Sequence, residues 1–345
     1  MAELDAQPQP QAPAGPTPLV RLASLAGGRG GALLILVLLV AIFSLLSPNF
    51  LTDRNLLNIL RQVAVVGVLA VAQTLVIVTA GIDLSVAATA ALSGCLMAVS
   101  YAHWGWPEPI AWLLGLGSGL LVGAINGAVI RYLRVPDIIA TLGAFSAVRG
   151  VALLVTEGLP VPTFAKVVEG RTLPESVNTV GAGTIGPFPL IAIVSGLVAV
   201  GGAFILARTK LGRAALAVGG NREAAHASGI DVGRTKFRIY ALSGLLAALG
   251  GMLLAGRLSS ANALMGEGME LQSIAAVVVG GTNLFGGQGT IVGTMIGVLI
   301  IGVLANGLSI MGIPEFWQRL SNGLIIVAVV ALDQWRRRLT GERSR

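Results

Sequence analysis

The sequence predicts an all-α polytopic membrane protein of about ten transmembrane helices with both termini cytoplasmic. Of 345 residues, 54% are hydrophobic and 11% charged, and the mean hydropathy is +0.84, which leaves a water-soluble fold too little polar surface. Apolar runs of roughly the 20 residues needed to cross a hydrocarbon core about 30 Å thick recur along the chain. Lys and Arg fall in the breaks between these runs and at their ends, where they set orientation. The net charge of +7 therefore reports topology, and no nucleic-acid partner is expected.

Residues 1–30 are rich in Pro, Gln, Ala and Gly. Such a composition cannot bury enough apolar surface to offset the entropy of ordering and reads as a disordered cytoplasmic tail. Arg21 and Arg29 precede the first apolar run as in a signal peptide, yet no small-residue cleavage site follows, so this span is read as a retained anchor. The membrane domain covers 31–335, with spans at 31–47, 63–80, 84–100, 110–130, 138–156, 188–207, 239–258, 270–285, 290–311 and 317–335. The eighth is short and runs into GGTNLFGGQG (Gly280–Gly289). A broken or re-entrant segment there stays open as an alternative, and with it a count of nine or eleven. A basic cytoplasmic tail, 336–345, ends the chain.

Ten spans with an internal amino terminus put 16 of the 23 cations in the cytoplasm: two in the tail, Arg131 and Arg134, seven in 208–238 and five after Trp335. Six lie opposite, Arg54, Arg61, Lys166, Arg171, Arg257 and Arg319, and Arg149 alone falls inside a span. The largest external feature is then the loop 157–187, with room for an extracytoplasmic protein to dock. Gly115, Gly119, Gly123 and Gly127 recur at intervals of four on one face of the fourth span. Such a ridge lets helix backbones approach, within the bundle or at a subunit interface.

Polar residues in spans are costly and are candidates for a translocation path: Gln73, Asp83, Asn126, Arg149, Asn283 and Asn306. Each has a structural alternative. Asp83 is placed to cap the third span; Gln73, Asn126 and Asn306 can bond neighbouring helices; Arg149, about two turns from the external end of its span, can snorkel outward. VTAGIDL (Val78–Leu84) is echoed 200 residues later by VVGGTNL (Val278–Leu284), setting Asp83 against Asn283, as corresponding broken helices do in transporter repeats. Cys95, the one cysteine, reads as a packing residue. His103 and His226 lie far apart without Cys or carboxylate clusters at metal-ligand spacing, and no phosphate-cradling G-x-x-x-x-G-K-[ST] loop occurs, so no metal site, cofactor or ATP hydrolysis is expected in this chain.

One polar stretch, 208–238, interrupts the apolar chain and carries seven Lys or Arg residues. Within it Asn221 suits an N-cap, Glu223 the positive end of a helix and Gly229 a left-handed stop, which predicts a two-turn helix over 222–228. Ala224, Ala227 and Ser228 share one face, a smooth ridge fit for a cleft on another protein.

The residues resemble a family: the sugar-type permease subunits of bacterial ATP-binding cassette importers, the group containing ribose and xylose permeases. The resemblance runs from about Arg54 to Trp335 and rests on GIDLSV (Gly81–Val86), PDIIATLGAFSAVRG (Pro136–Gly150), AVGGNREAAHASGI (Ala217–Ile230), RLSSANALMGEGMELQSIAAVVVGGTNLFGG (Arg257–Gly287) and GTIVGTMIGVLIIGVLANGLSIMGI (Gly289–Ile313). It implies an inner-membrane permease paired with a second copy or a paralogue, two cytoplasmic ATPase subunits that bind ATP and Mg, and a periplasmic substrate-binding protein. Coupling to the ATPase is then expected of Gly219, Gly220, Asn221, Glu223, Ala224, Ala225, Ala227, Ser228 and Gly229, with Glu223→Lys or Ala225→Trp uncoupling it. Binding-protein docking is expected of Glu157, Glu169, Arg171, Glu175, Glu267 and Glu270. The solute implied is a pentose or hexose; an amino-acid permease of a related importer and an ATP-independent carrier are the alternatives, and the spans lack the Asp, Glu and His relay that proton coupling needs.

Overall fold

The computed structural model describes residues 29–314, 316–318, 320, 323–324 and 331. The expected tail up to residue 28, most of the expected span at 317–335 and the basic tail 336–345 lie outside the described residues. Between residues 29 and 314 twelve α-helices follow one another: α1 Arg29–Leu46, α2 Asp53–Ile77, α3 Val86–Ala102, α4 Glu108–Tyr132, α5 Asp137–Thr156, α6 Glu175–Ala182, α7 Leu190–Arg208, α8 Lys210–Gly220, α9 Arg222–Ala227, α10 Val232–Leu258, α11 Met269–Val279 and α12 Ile291–Ile310. A two-stranded hairpin, β1 Thr184–Ile185 against β2 Phe188–Pro189, joins α6 to α7. Among the described residues α2, α4, α5, α7, α10 and α12 are long and apolar enough to cross a membrane, and α1, α3 and α11 are shorter apolar helices.

The bundle is layered by burial. Residue by residue, α2 is buried without a break from Val63 through Ile77, and α3 is buried except at Leu96 and Tyr101. In lipid the centre goes to helices whose small and polar side chains pack on protein, as Thr89, Ser93, Gly94 and Ser100 of α3 do. Around this core α4, α5 and α7 turn Leu113, Leu121, Ile139, Leu154, Leu197 and Val200 outward. Large apolar side chains on the outside are what a lipid solvent selects.

Small residues set the central crossing. A Cβ on Gly123 would run into the Tyr240 carbonyl and the Gly244 amide, and one on Gly119 into the Gly244 carbonyl and Ala248. The glycine ridge of α4 is therefore spent inside this chain, against α10. Gly293 and Gly297 of α12 likewise press on Gly280, just past α11, and on Ala276 within it.

Three segments differ from the sequence reading. The stretch 208–238 is not a loop holding one short helix: Thr209 caps α8 by accepting from Gly212 N at 3.1 Å, and Asp231 caps α10 by accepting from Arg234 N at 2.7 Å. Arg234, Lys236 and Arg238 thus sit on the first turns of α10, since a cap fixes a helix start whatever the charge that follows. The eighth apolar segment is helical only over α11 and stops at Gly280, with Gly281 at φ 87°. The stretch 157–187, expected as an external loop, contains α6 and the first strand of the hairpin, and Val161 pairs with Ala261 through two 2.8 Å hydrogen bonds that tie it to the turn after α10.

Candidate functional site

Helix α9 has the expected caps. Asn221 Oδ1 accepts from Ala224 N at 2.9 Å, Gly229 adopts φ 80°, and Ile230 N donates back to the Ala225 carbonyl at 3.0 Å, closing the last turn. Glu223, Ala224, Ala227 and Ser228 are exposed. Ala225 is not: it is 4% exposed and packs with Val218 and Val232. Ala225, expected among the coupling residues, is the one of the three alanines that points at α8 and α10, so it supports the exposed ridge from beneath. Gly219 and Gly220 anchor this unit to the bundle. A Cβ on Gly219 would strike the Val78 carbonyl and lie 2.6 Å from Gly287 N, while Gly220 faces Gly287 Cα at 3.9 Å.

Those two contacts lead to the echoed loops. Asp83 Oδ1 accepts from Ser85 N at 2.9 Å and Asn283 Oδ1 from Phe285 N at 3.0 Å, the same local turn at equivalent places. Gly287 N donates to Val78 O at 3.0 Å, so the loops after α2 and α11 meet each other and the end of α8.

The polar candidates in the spans mostly hold helices together. Asp83, 2% exposed, also accepts from Ser85 Oγ at 2.6 Å and Ser243 Oγ at 3.1 Å. Gln73 Nε2 donates to the Asp83 carbonyl at 2.7 Å, and Asn126 Nδ2 to Ser85 Oγ at 2.9 Å. Asn306 exchanges two 2.9 Å amide bonds with Asn55, a partner the sequence reading passed over in the polar start of α2. Arg149 does not snorkel: it is 9% exposed, donates through Nη1 to the Ala263 carbonyl and lies over the Phe145 ring. The turn after α10 gives its guanidinium a carbonyl inside the bundle.

A further polar group went unread. Lys236 Nζ lies 2.7 Å from Asp137 Oδ2, with side chains 12% and 15% exposed, and Tyr240 OH donates to the same oxygen at 2.8 Å. This trio joins the start of α5 to α10. Lys236→Met leaves a mostly buried carboxylate with only the Tyr240 hydroxyl and should cost about 3 kcal/mol, while Lys236→Met with Asp137→Leu should recover most of it; melting temperatures in detergent report both.

On the opposite side Glu157, Glu169, Glu175 and Glu267 are exposed, whereas Glu270 is 9% exposed. Glu270 is thereby withdrawn from the docking set, being tucked into the first turn of α11. Lys166 reaches Glu157 at 2.5 Å and holds its carboxyl below the usual carboxylate range, so Glu157 stays ionised in mild acid. Arg171 pairs with Glu169 at 3.1 Å and donates to the Gly105 carbonyl at 2.8 Å, stitching the stretch before α6 to the α3–α4 connection. Among the described residues no cluster of His, Cys, Asp and Glu could hold a metal ion.

The profile of the family described as branched-chain amino acid transport system / permease component matches residues 55–330. The ribose import permease protein of Bacillus subtilis (strain 168) is 44% identical over 304 residues, 88% of this chain and 92% of that one. The ribose import permease protein of Escherichia coli (strain K12) is 42% identical over 305 residues, with the same two shares, 88% and 92%, and the fructose import permease protein of Rhizobium meliloti is 38% identical over 312 residues, 89% of this chain and 85% of that one. No solved structure matches the chain. The matched span takes in the helices from the first turn of α2 through α12, with α8 and α9 among them, and on that extent of likeness the chain belongs to this family of transport-system permease components.

Proposed function

We propose that the chain is the membrane-spanning subunit of an ATP-driven, binding-protein-dependent importer that carries a pentose or hexose across the inner membrane, with ten spans and both termini in the cytoplasm. The observation that carries this reading is α9, a doubly capped helix with a small-residue ridge in solvent and no enzymatic constellation near it. In this reading α9 sits in a groove of a cytoplasmic ATPase, which alone binds ATP and Mg. Closure of the ATPase dimer pulls on α9, and the tight stack of Gly219 on Val78 and Gly287 passes that motion to the ends of α2 and α11. A second copy or a paralogue completes the path.

The outer surface would receive the binding protein. Reversing Glu157, Glu169, Glu175 and Glu267 together is expected to weaken that contact about tenfold and flatten its salt dependence; unchanged affinity and salt slope in a pull-down titration would remove these residues from the interface.

A branched-chain amino acid is the second reading, favoured by the family description. Relatives named for ribose, fructose and xylose, at 35–44% identity, favour the sugar. Proteoliposomes holding the chain, its ATPase and its binding protein distinguish the two: ATP hydrolysis and uptake should rise with a monosaccharide and not with leucine. Uptake that proceeds without the ATPase would instead make the chain a carrier.

A further inference from the structure

A cavity of about 1110 Å³ opens at the basic end of the bundle, between the end of α4, the 134–138 connection, α9, the first turns of α10 and the loop at 284–285. Four permanent cations line it, Arg131, Arg134, Arg222 and Lys236, against two carboxylates, Asp137 and Asp231. The carboxylates are already engaged, Asp137 with Lys236 at 2.7 Å and Asp231 with Arg131 at 3.2 Å. Four cations less two anions leave a surplus of two positive charges, which fall to Arg134 and Arg222; among the described residues neither makes an ion pair. Arg134 is also held at φ 55°, a left-handed conformation that glycine or asparagine adopts far more readily.

Apart from His226, the other side chains of the lining are apolar, Ile82, Ile130, Ile138, Leu284 and Phe285 among them. Ile138 is 50% and Phe285 62% exposed, so the greasy part of the cavity is its rim. That rim runs onto Ile139 and Leu142 of α5 and Tyr132 and Leu133 at the end of α4, all exposed, the surface such a bundle turns toward lipid. Cations inside and an apolar lip continuous with the bilayer face fit an amphiphile with a negatively charged head. A soluble sugar would leave the lip bare, and an acidic loop of a partner protein has no need of it.

We infer that this cavity seats the phosphate headgroup of an anionic phospholipid, with Arg134 and Arg222 on the phosphate and the first acyl carbons along Ile138 and Phe285. The assignment holds whichever solute the bundle carries. Each cation at the membrane surface contributes about fivefold in affinity for anionic lipid.

The test is native mass spectrometry of the full chain in detergent, titrated with phosphatidylglycerol and with phosphatidylcholine of the same acyl chains. Phosphatidylglycerol should be retained preferentially. Arg134→Gly with Arg222→Gln should lower its retention about 25-fold and leave phosphatidylcholine unchanged, while Arg213→Gln, removing an exposed cation outside the cavity, should change neither. Arg134→Gly suits its backbone, and an unchanged melting temperature shows that a lost lipid is not a lost fold; Arg134→Lys should keep the lipid. Equal retention of the two lipids, or full retention by the double variant, overturns the inference. Displacement of phosphatidylglycerol by inorganic phosphate alone would make this a free-anion site, and displacement by the ATPase subunit, with Arg134→Gly weakening ATPase binding, would give the cavity to the protein partner; either result overturns the lipid assignment.

Discussion

Gly123→Leu should prevent the chain from accumulating as a folded protein. The new side chain begins at a point already held by the Tyr240 carbonyl and the Gly244 amide, and backbone atoms cannot rotate away as a side chain can. The displaced helices also carry bonds to their other neighbours, Asn126 of α4 to Ser85 before α3 and Tyr240 of α10 to Asp137 of α5, so the strain would spread beyond the one crossing. Overpacking of this kind usually costs 1–3 kcal/mol; with rigid backbone on both sides about 3 kcal/mol or more is expected, a large share of the stability of any domain. Gly117 gives the comparison on the same helix, since a Cβ there meets nothing within 4 Å. Gly117→Leu should melt within about 0.5 kcal/mol of the parent. Size-exclusion profiles and melting curves in detergent read both, and equal behaviour of the two variants would refute the α4–α10 packing.

Ala224→Trp and Glu223→Lys should leave the bundle intact and abolish coupled transport. Both residues are exposed on α9, so neither substitution disturbs a packed contact, and an indole on the ridge blocks entry into a groove shaped for methyl groups. Transport should fall at least about tenfold while the yield of inserted protein and its melting temperature hold. Ala225→Trp is expected to act differently: an indole at a site 4% exposed between Val218 and Val232 should lower stability itself by about 1–3 kcal/mol. If Ala224→Trp supports normal ATP-driven uptake, α9 is not the coupling element.

The apolar helices were legible because lipid imposes one rule, a long run without charge, and α4, α5, α7 and α12 follow it closely. The misses share a cause. α8 is short and built of small residues with two cations in its first turns, so its buried face, Gly212, Ala215 and Val218, offers little apolar bulk to read, and its start rests on one Thr209 hydroxyl that composition does not reveal. The first turns of α10 carry three cations, so a hydropathy rule starts the span late although Asp231 caps it earlier. At the site, the caps of α9 could be read residue by residue because a cap is local. The partners of Asn126 and Asn306, and the bond from Ser243 to Asp83, could not, since each depends on which face of a helix meets a neighbour well away in sequence. Asn55 and Asn306 are 251 residues apart, and nothing in either neighbourhood signals the other.

The bond from Ser243 to the Asp83 carboxylate spans 160 residues of chain. At a synthesis rate of about 5–20 residues per second, roughly 8–32 s pass between the emergence of α3 and that of its partner on α10. During that interval the carboxylate and the glycine face of α4 have no α10 to close on, and the early helices must wait beside the insertion machinery as an unfinished sheaf. The centre of this protein is therefore sealed late in its making, by α10, and a nascent chain stopped before Ser243 should still present Asp83 to water.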